Sequence, residues 1–157
     1  MPGYARWDFA QASDIVAARA SEKGATLPIF HDLMERFGYV DRSIVPVVAN
    51  ALNLSRAEVH GTLTFYHDFR DHPPGRRTLK VCRAEACQSR GAAEVHDALK
   101  RKLGVDWHGT TSDGAFTIEP VYCLGLCACA PAVLVDDEPV GNVTVQSLDD
   151  VLAEARA

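Results

Sequence analysis

The sequence predicts an α+β fold, with an N-terminal helical bundle followed by an α/β region on a mixed sheet. Three observations carry this. Residues 8–69 repeat apolar side chains at intervals of three and four, the helical spacing. The stretch "RDHPPGRRT", residues 70–78, breaks that pattern with two prolines and a glycine. Beyond it, segments follow in the order β-α-β-β-α, which implies one parallel crossover and one antiparallel hairpin. The expected division is a bundle over 1–74 and a second domain over 75–157.

The helices can be justified in order. Residues 8–23 place Ala12, Ile15, Val16 and Ala20 on one side. In "TLPIFHDLMERFG", Thr26 is the expected cap, Pro28 suits the first turn, and Gly38 suits the stop. Phe30, Leu33, Met34 and Phe37 form its apolar stripe, as any core helix would. "DRSIVPVVANALN" repeats the pattern with Ile44, Val45, Val48 and Leu52; Pro46 lies in the early turns and Asn53 can close it. The next helix opens with Ser55 and Glu58, the pair of a capping box, and points Val59, Leu63 and Tyr66 inward. His31, His60, His67 and His72 show no H-E-x-x-H pattern, so a zinc hydrolase is unsupported.

In the second half, "TLKVC" reads as a strand ending at Cys82. "GAAEVHDALKRKLG" reads as a helix with Val95 and Leu99 inward and Gly104 as its stop. A turn at Asp113-Gly114 leads to a strand from about 115 to 122. "PAVLVDDEPVGNVTV" gives two strands around an acidic turn, and a last helix follows Ser147, with Asp150 three residues on. That order is the one of a thioredoxin-like sandwich.

Composition narrows the function. Of 157 residues, 47% are apolar and 24% charged, enough to bury a core. A net charge of −5 argues against a general nucleic-acid binder. No apolar run approaches the roughly 20 residues of a membrane helix. The first residues have no apolar signal-peptide core, so the expected compartment is the cytoplasm, where disulfides are rare. The five cysteines are therefore read as ligands, nucleophiles or core residues.

Four of them form two close pairs, Cys82 with Cys87 and Cys123 with Cys127, each after an expected strand. If those strands neighbour one another, their following loops meet and four thiols converge. Cys82 and Cys87 point about 140° apart on a regular helix, so they need an irregular loop. The spacing leaves open a [2Fe–2S] cluster, with one iron per pair, and a structural zinc. Redox dithiols are weaker, because C-x-x-C is absent. Cys129 reads as a buried, inert thiol, or as a stand-in for Cys127. Arg83, next to Cys82, could stabilise a reduced cluster if one is held there, or simply be a solvated or paired arginine; Arg76 and Arg77 share that ambiguity.

The run C-x₄-C, 35 residues, C-x₃-C, with "CLGLC" and a following "AP", resembles the thioredoxin-like [2Fe–2S] ferredoxins. These serve as the 24-kDa-type subunit of complex I and as matching subunits of NAD-reducing hydrogenases and NAD-dependent formate dehydrogenases. The likeness extends over "FGYVDRSIVPVVANALNLSRAEVHGTLTFYHDF", "TSDGAFTIEPVYCLGLCACAP" and "GNVTVQSLDDVL". "FYHDFRDHPPG", "CRAEACQSRGA" and "EPVYCLGLCA" look most like the γ subunit of the soluble, molybdenum-containing formate dehydrogenases. The resemblance implies that Cys82, Cys87, Cys123 and Cys127 bind one [2Fe–2S] cluster that exchanges single electrons with a partner's flavin. It implies a partner subunit with FMN, an NAD site and a further iron–sulfur cluster, and a large catalytic subunit with the molybdenum cofactor. No G-x-G-x-x-G is present, so nucleotide binding is not expected here. The bundle's expected use is docking to those partners.

Overall fold

The computed structural model describes residues 4–156. The chain forms two compact units, one ending at Pro73 and the other starting at Pro74.

The first unit contains helices α1 (Phe9–Arg19), α2 (Thr26–Phe37), α3 (Val45–Leu52) and α4 (Arg56–Phe65), with a 3₁₀ turn at Arg42–Ile44. Asp8 caps α1 by accepting the Gln11 N–H at 3.0 Å. Thr26 does not cap α2. Ala25 already has helical backbone angles, so Thr26 is the first helical residue and no side chain accepts there. Gly38 closes α2 at φ 77°, and Asn53 closes α3 at φ 53°. The capping box of α4 is complete: Ser55 Oγ accepts the Glu58 N–H at 3.1 Å and Glu58 Oε2 accepts the Ser55 N–H at 2.8 Å.

Phe30, Leu33, Phe37, Ile44, Val48, Val59 and Leu63 meet in the core of this unit. Met34 and Leu52 pack at its margin. Tyr66 departs from the inward expectation. The helix ends at Phe65, and Tyr66 continues in extended backbone with 42% of its surface exposed.

The second unit is built on a sheet ordered β2-β1-β3-β4, from β1 (Arg77–Cys82), β2 (Phe116–Val121), β3 (Val133–Val135) and β4 (Glu138–Val140). β1 runs parallel to β2 and antiparallel to β3, and β3 and β4 form the hairpin. The sheet is mixed, as the element order requires. Helices α6 (Ala92–Leu103) and α7 (Leu148–Arg156) bury Val95, Leu99, Leu148 and Leu152 with Leu79, Val81, Phe116 and Ile118. A short helix, α5 (Glu85–Ser89), precedes α6; at five residues it is too brief to show a period in the sequence. The Ser147 hydroxyl accepts the Thr144 N–H at 2.9 Å, tying it to the preceding turn.

Residues 108–111 lie along the outer side of β2. His108 and Thr111 donate to the carbonyls of Ile118 and Phe116, and Ile118 donates to Gly109. Each edge strand carries a proline, Pro120 in β2 and Pro139 in β4. Among the described residues, no helix is long and apolar enough to cross a membrane.

Replacing Ser55 with Ala should cost about 1 kcal/mol through loss of the α4 cap. Ser55→Thr should retain most of that stability. Urea unfolding followed by circular dichroism measures both.

Candidate metal centre

The parallel ladder places the site. Cys82, the last residue of β1, is paired with Val121, the last residue of β2. Both strands point the same way, so the chain leaving each passes the same end of the sheet. Arg83 N–H donates to the Val121 carbonyl at 2.7 Å, and the chain then turns into α5, which carries Cys87. Cys123 follows β2 at φ 113°, outside the usual range for a side-chain-bearing residue. Cys127 opens a 3₁₀ turn, Cys127–Cys129. The expected irregular connection between Cys82 and Cys87 is thus a strand end joined to a helical turn.

The four thiols share one neighbourhood. Cys82 accepts hydrogen bonds from the amides of Ala84, Leu124 and Cys123 and interacts with the Cys87 thiol. Cys87 accepts the Ala132 amide and feels charge on Cys82 and Cys127. The Sγ atoms of Cys123 and Cys127 are 3.8 Å apart, beyond a disulfide's ~2.05 Å. The Gly125 amide points to Cys123 Sγ at 3.4 Å. The pairs differ in exposure: Cys82 and Cys87 are 3% and 2% exposed, whereas Cys123 and Cys127 face solvent.

These surroundings separate the thiols electrostatically. Burial pushes Cys82 up, but the Ala84 amide, the Cys87 thiol and the Leu124 and Cys123 amides outweigh it, so Cys82 lies below the ordinary thiol value. Burial, then the bond to Cys82, pushes Cys87 up. The bond to Cys123 and its charge push Cys127 up. Cys82 is therefore the first of these three to reach the thiolate that ligation requires.

The donor set fits an iron–sulfur group. It consists of thiols in two pairs, with backbone N–H groups turned toward the sulfurs. Among the described residues, no three His, Cys, Asp or Glu side chains are arranged to hold a single ion.

Cys129 is exposed, not buried as the sequence suggested. An extended loop would align it with Cys127, but a 3₁₀ turn rotates about 120° per residue and separates them. Its backbone packs closely on Gly141, where an added Cβ would lie 2.6 Å from Cys129 Cβ. Arg76 and Arg77 lie at the opposite end of β1 from Cys82. Arg76 donates to the Asp113 carbonyl at 3.1 Å and Arg77 pairs with Asp136 at 2.9 Å, so both are structural. Arg83 stays beside the site, its guanidinium carbon 5.1 Å from the Trp107 ring centroid.

His96 escaped the sequence reading. It is 8% exposed, and its Nε2 lies 3.1 Å from the Cys82 carbonyl oxygen. Burial, partly opposed by that bond, pushes its pKa down, and the Arg83 charge pushes the same way. The signal that could have found it was a histidine within the inward face of α6, beside Val95 and Leu99, where a polar ring requires a partner.

A family model described as thioredoxin-like [2Fe–2S] ferredoxin matches residues 12–156. The chain belongs to that family. As a member it carries one [2Fe–2S] cluster and works in electron transfer. It is 32% identical over 93% of its length to the NADP-reducing hydrogenase subunit HndA of Solidesulfovibrio fructosivorans, covering 85% of that protein. It is 32% identical over 77% of its length to an NADH-quinone oxidoreductase subunit of Pseudomonas aeruginosa, covering 73% of that protein. The air-oxidised NAD+-reducing [NiFe]-hydrogenase shares the fold, with TM-score 0.66 and 21% identity over 84% of this chain. The present chain spans only 23% of that hydrogenase chain.

In the cluster-free ferredoxin, a thiol reagent should modify Cys123, Cys127 and Cys129 quickly and Cys82 and Cys87 slowly. If both thiol pairs hold the cluster, only Cys129 should react in the loaded protein. Peptide mass spectrometry after timed labelling reads both patterns.

Proposed function

We propose that Cys82, Cys87, Cys123 and Cys127 hold the [2Fe–2S] cluster, and that the chain is the electron-transfer subunit of an NAD-dependent formate dehydrogenase. The observation that carries the ligand set is the meeting of two thiol pairs beyond the parallel ends of β1 and β2. When bound, the cluster takes up and releases single electrons. Cys82 and Cys87 would hold it from the buried side, and Cys123 and Cys127 from the solvent side.

The partners in this reading are a subunit with FMN, NAD and a further iron–sulfur cluster, and a large subunit with the molybdenum cofactor that oxidises formate. The complex works in the cytoplasm. The relatives' names supply the NAD-linked setting. The formate assignment draws on the residue likeness of "FYHDFRDHPPG", "CRAEACQSRGA" and "EPVYCLGLCA". Tyr122, 74% exposed and adjacent to Cys123, gives a partner an apolar contact beside the exposed thiols. Phe65, 72% exposed and in ring contact with Tyr66 at 5.1 Å, gives the bundle a second one.

Single replacement of Cys82, Cys87, Cys123 or Cys127 by Ala should abolish stable cluster loading. Cys129→Ala should leave the red-brown colour, the iron and sulfide content and the reduced-state paramagnetic resonance unchanged. Full loading in any of the four variants, or a colourless zinc protein from the unsubstituted chain, would overturn the ligand assignment. Co-purification of the molybdenum-loaded complex should give formate-dependent NAD reduction; an intact complex without it removes the formate assignment alone.

A further inference from the structure

The backbone of Cys82 and Arg83 is held by four hydrogen bonds, one on each N–H and one on each carbonyl. Cys82 N–H donates to Ala132 at 3.1 Å, and Arg83 N–H donates to Val121 at 2.7 Å, both backbone bonds. The two carbonyls instead rely on side chains. Gln88 Nε2 donates to the Arg83 carbonyl at 2.6 Å, and His96 Nε2 is the 3.1 Å partner of the Cys82 carbonyl. A carbonyl only accepts, so His96 must carry its proton on Nε2.

The imidazole is itself confined. Trp107 meets it edge-on, with centroids 5.5 Å apart and planes at 78°. Lys100 Nζ lies 4.5 Å from the Trp107 centroid, and Lys100 pairs with Asp106 at 2.5 Å. The ring is thus packed against an indole flanked by cations, and its donor is aimed at the carbonyl of the buried Cys82.

We propose that His96 is a positioning residue for the cluster, its Nε2–H locking the Cys82–Arg83 peptide and offsetting the carbonyl dipole of the residue whose thiol would hold it. Reduction adds one negative charge to the cluster. An N–H bound to the adjacent carbonyl draws negative charge away from that surrounding and favours the reduced form. A bare, unrestrained carbonyl does the reverse. The inference rests on Cys82 being a cluster ligand.

The test compares the reconstituted protein with His96→Phe, which keeps a ring against Trp107 but has no donor, and His96→Gln, which keeps an N–H near the Nε2 position. Redox titration followed by paramagnetic resonance should show the one-electron reduction constant falling about tenfold in H96F, ~59 mV more negative. H96Q should stay within about threefold of the unsubstituted protein. H96F matching the unsubstituted potential at equal iron content overturns the proposal, as does H96Q shifting as far as H96F. If H96F loses the cluster, H96Q with unaltered potential supports the proposal, and loss in both with native circular dichroism overturns it. In the unsubstituted protein, ¹⁵N shifts must show His96 protonated at Nε2; a bare Nε2 overturns the proposal without any variant. Cys82→Ala retaining full iron would instead remove the ligand assignment on which the inference stands.

Discussion

The pairing of β1 with β2 is the constraint on which the site depends. Because the two strands are parallel and in register from Arg77↔Phe116 to Cys82↔Val121, the exits of two distant segments stand side by side. An antiparallel pairing would put those exits at opposite ends of the sheet. A slip of one residue would turn Cys82 to the other face. The register is set by what the strands bury: Leu79, Val81, Phe116 and Ile118 all enter one core against α6 and α7. Apolar packing therefore fixes the ladder, and the ladder fixes the thiols.

Backbone amides complete what the ladder begins. Cys82 receives N–H groups from its own loop and from the Cys123–Leu124 segment, so each loop supplies part of the other's environment. Neither thiol pair is a finished site alone. This mutual dependence also explains the left-handed backbone at Cys123: the turn that lets the Cys123 and Leu124 amides reach Cys82 requires an unusual φ at that residue.

The sequence made the regular elements legible where local rules act alone. The Ser55–Glu58 box, the Gly38 and Gly104 stops and the apolar stripes of α2 and α3 depend on neighbours within a turn or two. The convergence of the cysteine pairs was legible because a strand precedes each. What could not be read depended on tertiary placement. Thr26 looked like a cap, but the geometry of Ala25 starts the helix one residue earlier. Tyr66 continued the apolar spacing, yet the helix stops before it. Cys129 looked buried by composition, and the 3₁₀ turn carries it outward. His96 makes its defining contact with a residue 14 positions away, outside any local motif.

The borders of the sheet have a consequence for assembly. On the outer border of β2, residues 116, 118 and 120 alternate outward; the first two are already occupied by residues 108–111, and Pro120 has no N–H to offer. β4 is three residues long and centred on Pro139. Neither border can recruit a foreign strand into a continuous ladder. Association with other polypeptides must then proceed through side chains and loops, which leaves the backbone lattice that aligns the thiols undisturbed when a complex forms or dissociates.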